Sequence, residues 1–236
     1  MKIISILSLS LPCIQAFAQE APAQIIYEVR GTYTRPVKPE TLANAKTLAD
    51  ICPGYPATWI TNYTKTEIST FIDGKQVNVP GKNDTLSAAQ KALLANIELG
   101  SNVDFSVAYT YANAVTGNND AFEMIFTLTV VPSVQAEFAG GYAQMQNYFK
   151  EKAIDKISAA KAKTLKQAAV RFTVDEQGEI VNAYMSGSTH DKKTNKLLLK
   201  AVNNMPKWKP AENAQGLKVK QEFEFVVYGE MMMTGC

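Results

Sequence analysis

Hydrophobic and polar positions alternate along this chain with two periods, and those periods divide it into elements. Residues 25–35 carry the β-branched and aromatic content of a strand. Lys38 to Asp50 places Leu42, Ala45, Leu48 and Ala49 at helical spacing, with Pro39 or Thr41 able to start that helix and Cys52-Pro53-Gly54 ending it. Trp59 to Val79 alternates through Ile60, Ile68, Phe71, Ile72, Val77 and Val79, and Asp73-Gly74 reads as its hairpin turn. Thr85-Leu86-Ser87 opens a helix over Ala88 to Ile97, stopped by Gly100. Val103 to Tyr111 and Phe122 to Val131 are two further strands, and Pro132 closes the second because it cannot donate to a ladder. Residues 20–131 therefore predict a β-rich α+β domain, for which a small sandwich would suit.

The pattern changes after Pro132. Residues 132–141 read as a linker, with Gly140-Gly141 as a hinge before a helix. Tyr142 to Ile157 spaces Tyr142, Met145, Tyr148, Phe149 and Ala153 along one helical stripe. Ala168, Val170, Phe172 and Val174 alternate with Ala169, Arg171 and Thr173 as a half-buried strand, Asp175 to Gly178 forms a turn, and Ile180 to Met185 returns. Asp191 to Asn203 is a helix burying Leu197, Leu198, Ala201 and Val202, and Met205-Pro206 ends it. A single long strand, Lys218 to Tyr228, puts Val219, Phe223, Phe225 and Val227 on one face. The expected fold class is α+β, with a second domain over 142–229 built as helix, β-hairpin, helix and strand around an antiparallel sheet. Residues 230–236 read as a flexible tail.

Composition narrows the chemistry. Among 236 residues, 24 Lys and Arg nearly balance 22 Asp and Glu, so no electrostatic footprint for nucleic acid exists. One His and three Cys leave little material for a zinc site, and no metal or cofactor is expected. Residues 1–18 combine one Lys, a short apolar run and Ala16-Phe17-Ala18, which reads as a cleaved export signal. Pro12 stands where lipidation of Cys13 would want a small residue. Cleavage leaves Cys52 and Cys236, able to pair in an oxidising compartment or to remain apart.

Several residues invite chemistry that their surroundings do not support. His190-Asp191 reads as a helix cap with a solvated neighbour, since no nucleophile motif accompanies it. No phosphate-binding glycine loop or dinucleotide fingerprint occurs. The lysines at 150, 152, 156, 161, 163 and 166 read most simply as a solvated helix face, with an acidic lipid or cell-wall polymer as the alternative partner.

The last ninety residues also carry a joint set of motifs. In order they are Glu137-Phe138-Ala139-Gly140-Gly141, Val170-Arg171-Phe172-Thr173-Val174-Asp175-Glu176-Gln177-Gly178-Glu179-Ile180, Met205-Pro206-Lys207-Trp208-Lys209-Pro210-Ala211 and Gly216-Leu217-Lys218-Val219. Together they resemble the C-terminal domain of TonB proteins, in the form common in Bacteroidetes. Read on their own terms, Pro206 and Pro210 hold Trp208 extended as a hydrophobic lid, and Gly178 supplies a positive φ in the hairpin turn.

The resemblance implies a periplasmic protein that binds peptide by strand addition, its partner being the TonB box of an outer-membrane TonB-dependent receptor or a segment of another envelope protein. By position in the motif, the docking edge would be the last strand: Lys218, Val219, Lys220, Gln221, Glu222, Phe223, Glu224, Phe225, Val226, Val227 and Tyr228. The outward Lys218, Lys220, Glu222 and Glu224 equally suit a gatekeeping role against aggregation. A free last strand could also pair with a second copy in a dimer. An energy transducer would need an uncleaved anchor and a long Pro-rich spacer, and here a folded domain fills that interval. The reading is thus of a non-enzymatic, exported binder. An inner-membrane-anchored transducer and a structural protein of the envelope are the alternatives.

Overall fold

The computed structural model describes residues 25–229. The fold is α+β, two larger sheets each covered on one face by helices, with a separate two-stranded hairpin. The export signal, the tail and Cys236 lie outside the described residues. Among those described, no helix is long and apolar enough to cross a membrane.

The first module is a five-stranded sheet. Its strands are β2 (Pro36–Val37), β3 (Ile60–Ile72), β4 (Lys75–Gly81), β5 (Asn102–Ala112) and β6 (Asn119–Val130), in the order β2-β6-β5-β3-β4. Asp73 and Gly74 both take positive φ, 50° and 73°, as a two-residue turn matched to strand twist requires. Register sets Ile68, Phe105 and Phe126 side by side on one face, the two phenyl rings stacked at 4.6 Å. Against that face lie α1 (Pro39–Asn44), α2 (Leu48–Ile51) and α3 (Ala88–Ala95), which bury Leu42, Leu48, Ile51, Leu93 and Leu94. The other face carries polar pairs, Thr127 donating to Asp104 and Ser106 to Glu123 across β5 and β6, beside the exposed Phe71 and Ile125. A single sheet under helices thus replaces the expected sandwich. The helix expected over 38–50 is broken at Ala45, because Thr47 and Asp50 form a capping box that starts a new one.

The second module holds α4 (Gly141–Lys152), a 3-10 turn (Ile154–Lys156), α5 (Ala159–Thr164), β7 (Gln167–Val174), β8 (Ile180–Gly187), α6 (Lys192–Asn203) and β11 (Gln221–Tyr228). Phe149 of α4 stacks on Phe225 of β11 at 3.9 Å, and Leu198 and Val202 of α6 join Val170 and Phe172 in the same core. The strand expected over Lys218 to Tyr228 is two strands. Lys218–Val219 (β10) pairs with Ala211–Glu212 (β9), Lys218 forming an ion pair with Glu212, and Lys220 separates β10 from β11.

Two expectations about domain boundaries are corrected. The strand read at 25–35 spans Ile26–Gly31 (β1) and belongs to the second module: the four-stranded sheet runs β1-β11-β7-β8. Ile25, Tyr27 and Val29 reach the second module's apolar core, which draws the strand there. The linker is also no free hinge. Val134 exchanges backbone hydrogen bonds with Glu212, Glu137 does so with Lys209, and the buried Ala136 N–H donates to Gln221 Oε1 at 2.8 Å.

Candidate partner-binding site

The residues singled out as a docking edge form the interior of a sheet. On one side β11 pairs with β7 from Gln221↔Val174 to Tyr228↔Gln167. On the other it pairs antiparallel with β1, from Ile26↔Tyr228 to Gly31↔Phe223. The free backbone rim expected over Lys218 to Tyr228 is therefore absent from this arrangement. Gln221, Phe223, Phe225, Val226 and Val227 are buried, and Lys218 and Val219 lie in the separate β9–β10 hairpin. The physical reason is that an eight-residue strand with bare backbone groups on one side is a strong template, and a matching segment of the same chain fills it.

Side chains reinforce the ladder on both faces. On the inner face the Tyr27 ring meets Phe225 edge-on at 6.5 Å, and its hydroxyl donates to the Gln146 carbonyl of α4 at 3.2 Å. Burial raises the Tyr27 phenol above its ordinary value. On the outer face Arg30 of β1, Glu224 of β11 and Arg171 of β7 stand in register. Glu224 accepts from Arg30 at 3.3 Å and from Ser186 at 2.9 Å, with Arg171 at 3.5 Å. Burial works to raise the Glu224 carboxyl, but the hydrogen bonds from Ser186 and Arg30 and the charges of Arg171 and Arg30 outweigh it and hold it low. A carboxylate between two guanidinium groups fixes register, because a one-residue slip of β11 would send Glu224 to the face opposite both arginines.

Three of the other edges are guarded. In the first module β4 carries Lys75 and Pro80. At the far side of the second sheet, β8 departs from regular pairing with β7 at two places, and Asn182, within the second of them, takes a φ of 55°. Such bulges twist an edge away from incoming strands. The outer side of β1 presents Glu28 and Arg30, paired with one another at 3.2 Å.

The remaining motif residues serve packing. Trp208 is 4% exposed, with Phe223, Phe138 and Phe172 at ring distances of 5.0, 5.6 and 5.9 Å. Pro206 and Pro210 flank it as an extended segment, and its backbone N–H donates to the Gly178 carbonyl at 2.9 Å. Gly178 takes a φ of 82°, and a Cβ there would overlap the Trp208 carbonyl oxygen. That turn accepts only glycine for two separate reasons. Gly140 and Gly141 start α4, and Gly216 turns β9 into β10. Cys52 has no disulfide partner among the described residues, and burial raises its thiol.

His190 and Asp191 form a helix start, as their spacing suggested. Asp191 caps α6, accepting from the Thr194 N–H at 3.1 Å and its hydroxyl at 2.6 Å and from Lys161 at 3.1 Å, which pulls its carboxyl down to about 2. Among the described residues no group of His, Cys, Asp and Glu side chains could hold a metal ion. Concave features of the described residues include a cleft of about 500 Å³ between the modules, beside Tyr33, Ser101, Asn182 and Glu222, and one of about 560 Å³ beside the α6 cap.

No family model, curated protein or solved structure matches the chain. The residues that sequence reasoning missed as part of this site are Ile25, Tyr27, Val29 and Arg30. Their alternation was legible as a strand, but its partner, nearly two hundred residues away, leaves no mark in local periodicity. Glu224 offers one signal in hindsight: an acid beside Arg171 on a sheet face calls for a second cation across the ladder.

Proposed function

We propose that this is a non-enzymatic, exported binding protein whose second module holds extended peptide segments by strand addition to β11. The observation that carries the reading is the β1–β11 ladder: a segment nearly two hundred residues away in the chain pairs antiparallel over six residues of β11 and sends alternate side chains into the core beneath it. Main-chain hydrogen bonds provide the attraction in this mode, and shallow side-chain slots provide selectivity. The motifs shared with TonB C-terminal domains point to an envelope protein as the source of the partner segment, a TonB-box-like stretch of an outer-membrane transporter being the first to try. In the resting state the chain's own β1 holds the edge, so a partner must compete with it.

A second reading, a structural protein of the envelope, is favoured by the hydrogen-bonded linker and the guarded edges, which suit a rigid body more than a receptor. Titrating the isotope-labelled full chain with TonB-box-like peptides separates the two. Shifts confined to the amides of β1 and β11 support binding. Unmoved amides at saturating peptide leave the structural reading.

A further inference from the structure

The burial pattern of the second sheet singles out one strand. No residue of β1 is fully buried, whereas β11 buries Gln221, Phe223, Phe225, Val226 and Val227. Strands with few buried contacts open at the lowest free energy. Downstream of β1 the chain is held again at once, by the Thr129 N–H donating to the Arg35 carbonyl at 2.8 Å. Residues 32–35 can therefore swing β1 away while β2 stays in the first sheet. Beside β1 lie a row of β11 backbone groups and the apolar core that Ile25, Tyr27 and Val29 pack against, Tyr27 meeting Phe225 and α4.

We infer that β1 is a displaceable occupant and that its side chains spell the segment this edge accepts. That segment is an extended peptide running antiparallel to β11, with apolar side chains at alternate positions, an aromatic in the middle one, and a cation after the last. The aromatic matches the Tyr27 slot, where a hydroxyl also reaches the Gln146 carbonyl. The cation matches Arg30, which meets Glu224 on the outer face. A purely aliphatic segment would fill the slots and leave Glu224 with Arg171 and Ser186 alone. The inference rests on the strand-addition reading above and names the chemistry of its partner.

Competition sets the size of the effect. A resident segment on a short tether acts at an effective concentration on the order of 1 mM. For a peptide that binds the bare edge with a Kd of ~10 μM, the resident strand raises the apparent Kd about 100-fold. The intact protein is therefore a weak binder, and one whose β1 has been ejected is a strong one.

The test uses the full chain carrying Val29→Asp, which places a carboxylate in an apolar slot and ejects the strand. A labelled peptide of residues 25–32 is then titrated, beside a peptide of the same composition in scrambled order. Binding about 100-fold tighter to Val29→Asp than to the unsubstituted chain, with protection returning to the amides of residues 221–228 and none from the scrambled peptide, is the expected result. A folded Val29→Asp protein that ignores the peptide overturns the inference. Should that variant fail to fold, a protease site placed within residues 32–35 of the otherwise unaltered chain makes β1 a separate piece after cutting. Exchange of the cut strand for labelled peptide supports the inference, and a strand that never exchanges overturns it. If the peptide of residues 25–32 binds while TonB-box-like peptides do not, the envelope partner falls and the template stands. The reverse pattern sinks the template and leaves strand addition.

Discussion

Replacing Gly178 by alanine should cost far more than replacing Gly216, although both glycines take positive φ, 82° and 74°. An L-residue in the left-handed region costs about 1–2 kcal/mol at either position. Around Gly216 nothing lies within 4 Å of an added Cβ, so the backbone cost is the whole effect. At Gly178 the added carbon overlaps the Trp208 carbonyl oxygen, and backbone cannot rotate aside as a side chain can. The turn must retreat, which breaks the Trp208 N–H to Gly178 carbonyl bond, worth about 1 kcal/mol net. It also loosens an indole packed against Phe138, Phe172 and Phe223. Losing about a third of the 3–5 kcal/mol that large aromatics contribute adds about 1–2 kcal/mol. The sum is about 3–5 kcal/mol for Gly178→Ala against about 1–2 kcal/mol for Gly216→Ala. At about 2–4 °C per kcal/mol for a chain of this size, the two melting points should differ by roughly 4–12 °C. Urea unfolding followed by tryptophan emission reads the difference directly, since Trp208 is buried and Trp59 is 72% exposed. Equal losses from the two substitutions would refute the reasoning that backbone approach, and not φ alone, demands glycine in the hairpin turn.

Other outcomes follow from the same contacts. Truncating Phe225 to alanine removes a fully buried ring stacked on Phe149 and should cost about 3–5 kcal/mol in urea unfolding, with both modules folded at low denaturant. Because the Glu224 carboxyl is depressed in the folded state, its contribution is complete above the unfolded value near 4.5 and is lost as pH falls through the lower folded value. Glu224→Gln should therefore flatten the acid side of a melting-point-against-pH curve and leave its shape above pH 6 unchanged. Asp191 obeys the same sign, its stabilising contribution fading between pH 3.8 and about 2, which an Asp191→Asn variant followed by circular dichroism would remove. Ser87 caps α3 by accepting from the Gln90 N–H at 3.2 Å, so Ser87→Ala should lose about 1 kcal/mol, measured by chemical denaturation.

Much of the fold was legible because its elements are local. The Asp73-Gly74 turn, the Ser87 and Asp191 caps and the alternation from Ala168 to Val174 each write their structure into neighbouring residues. Three features were not legible for the same physical reason. The break between β10 and β11 comes from Ala211–Glu212 arriving beside Lys218–Val219, an event the alternation of the last strand does not encode. The locking of residues 132–141 depends on Glu212, Lys209 and Gln221, all distant in sequence. Most consequential, residues 26–31 read correctly as a strand but were given to the nearer module, since periodicity fixes the face of a strand and not its neighbour. That one misplacement moved the site: the rim expected to be bare on β11 is the place where β1 sits.

Hydrogen exchange on the intact protein tests that pairing most directly. The amides of residues 26–31 should be slowed together with those of residues 221–228, and Val29→Asp should speed both sets while leaving β3, β5 and β6 protected. Rapid exchange across residues 26–31 in the intact chain, beside a β11 that is slow only where it faces β7, would contradict the account.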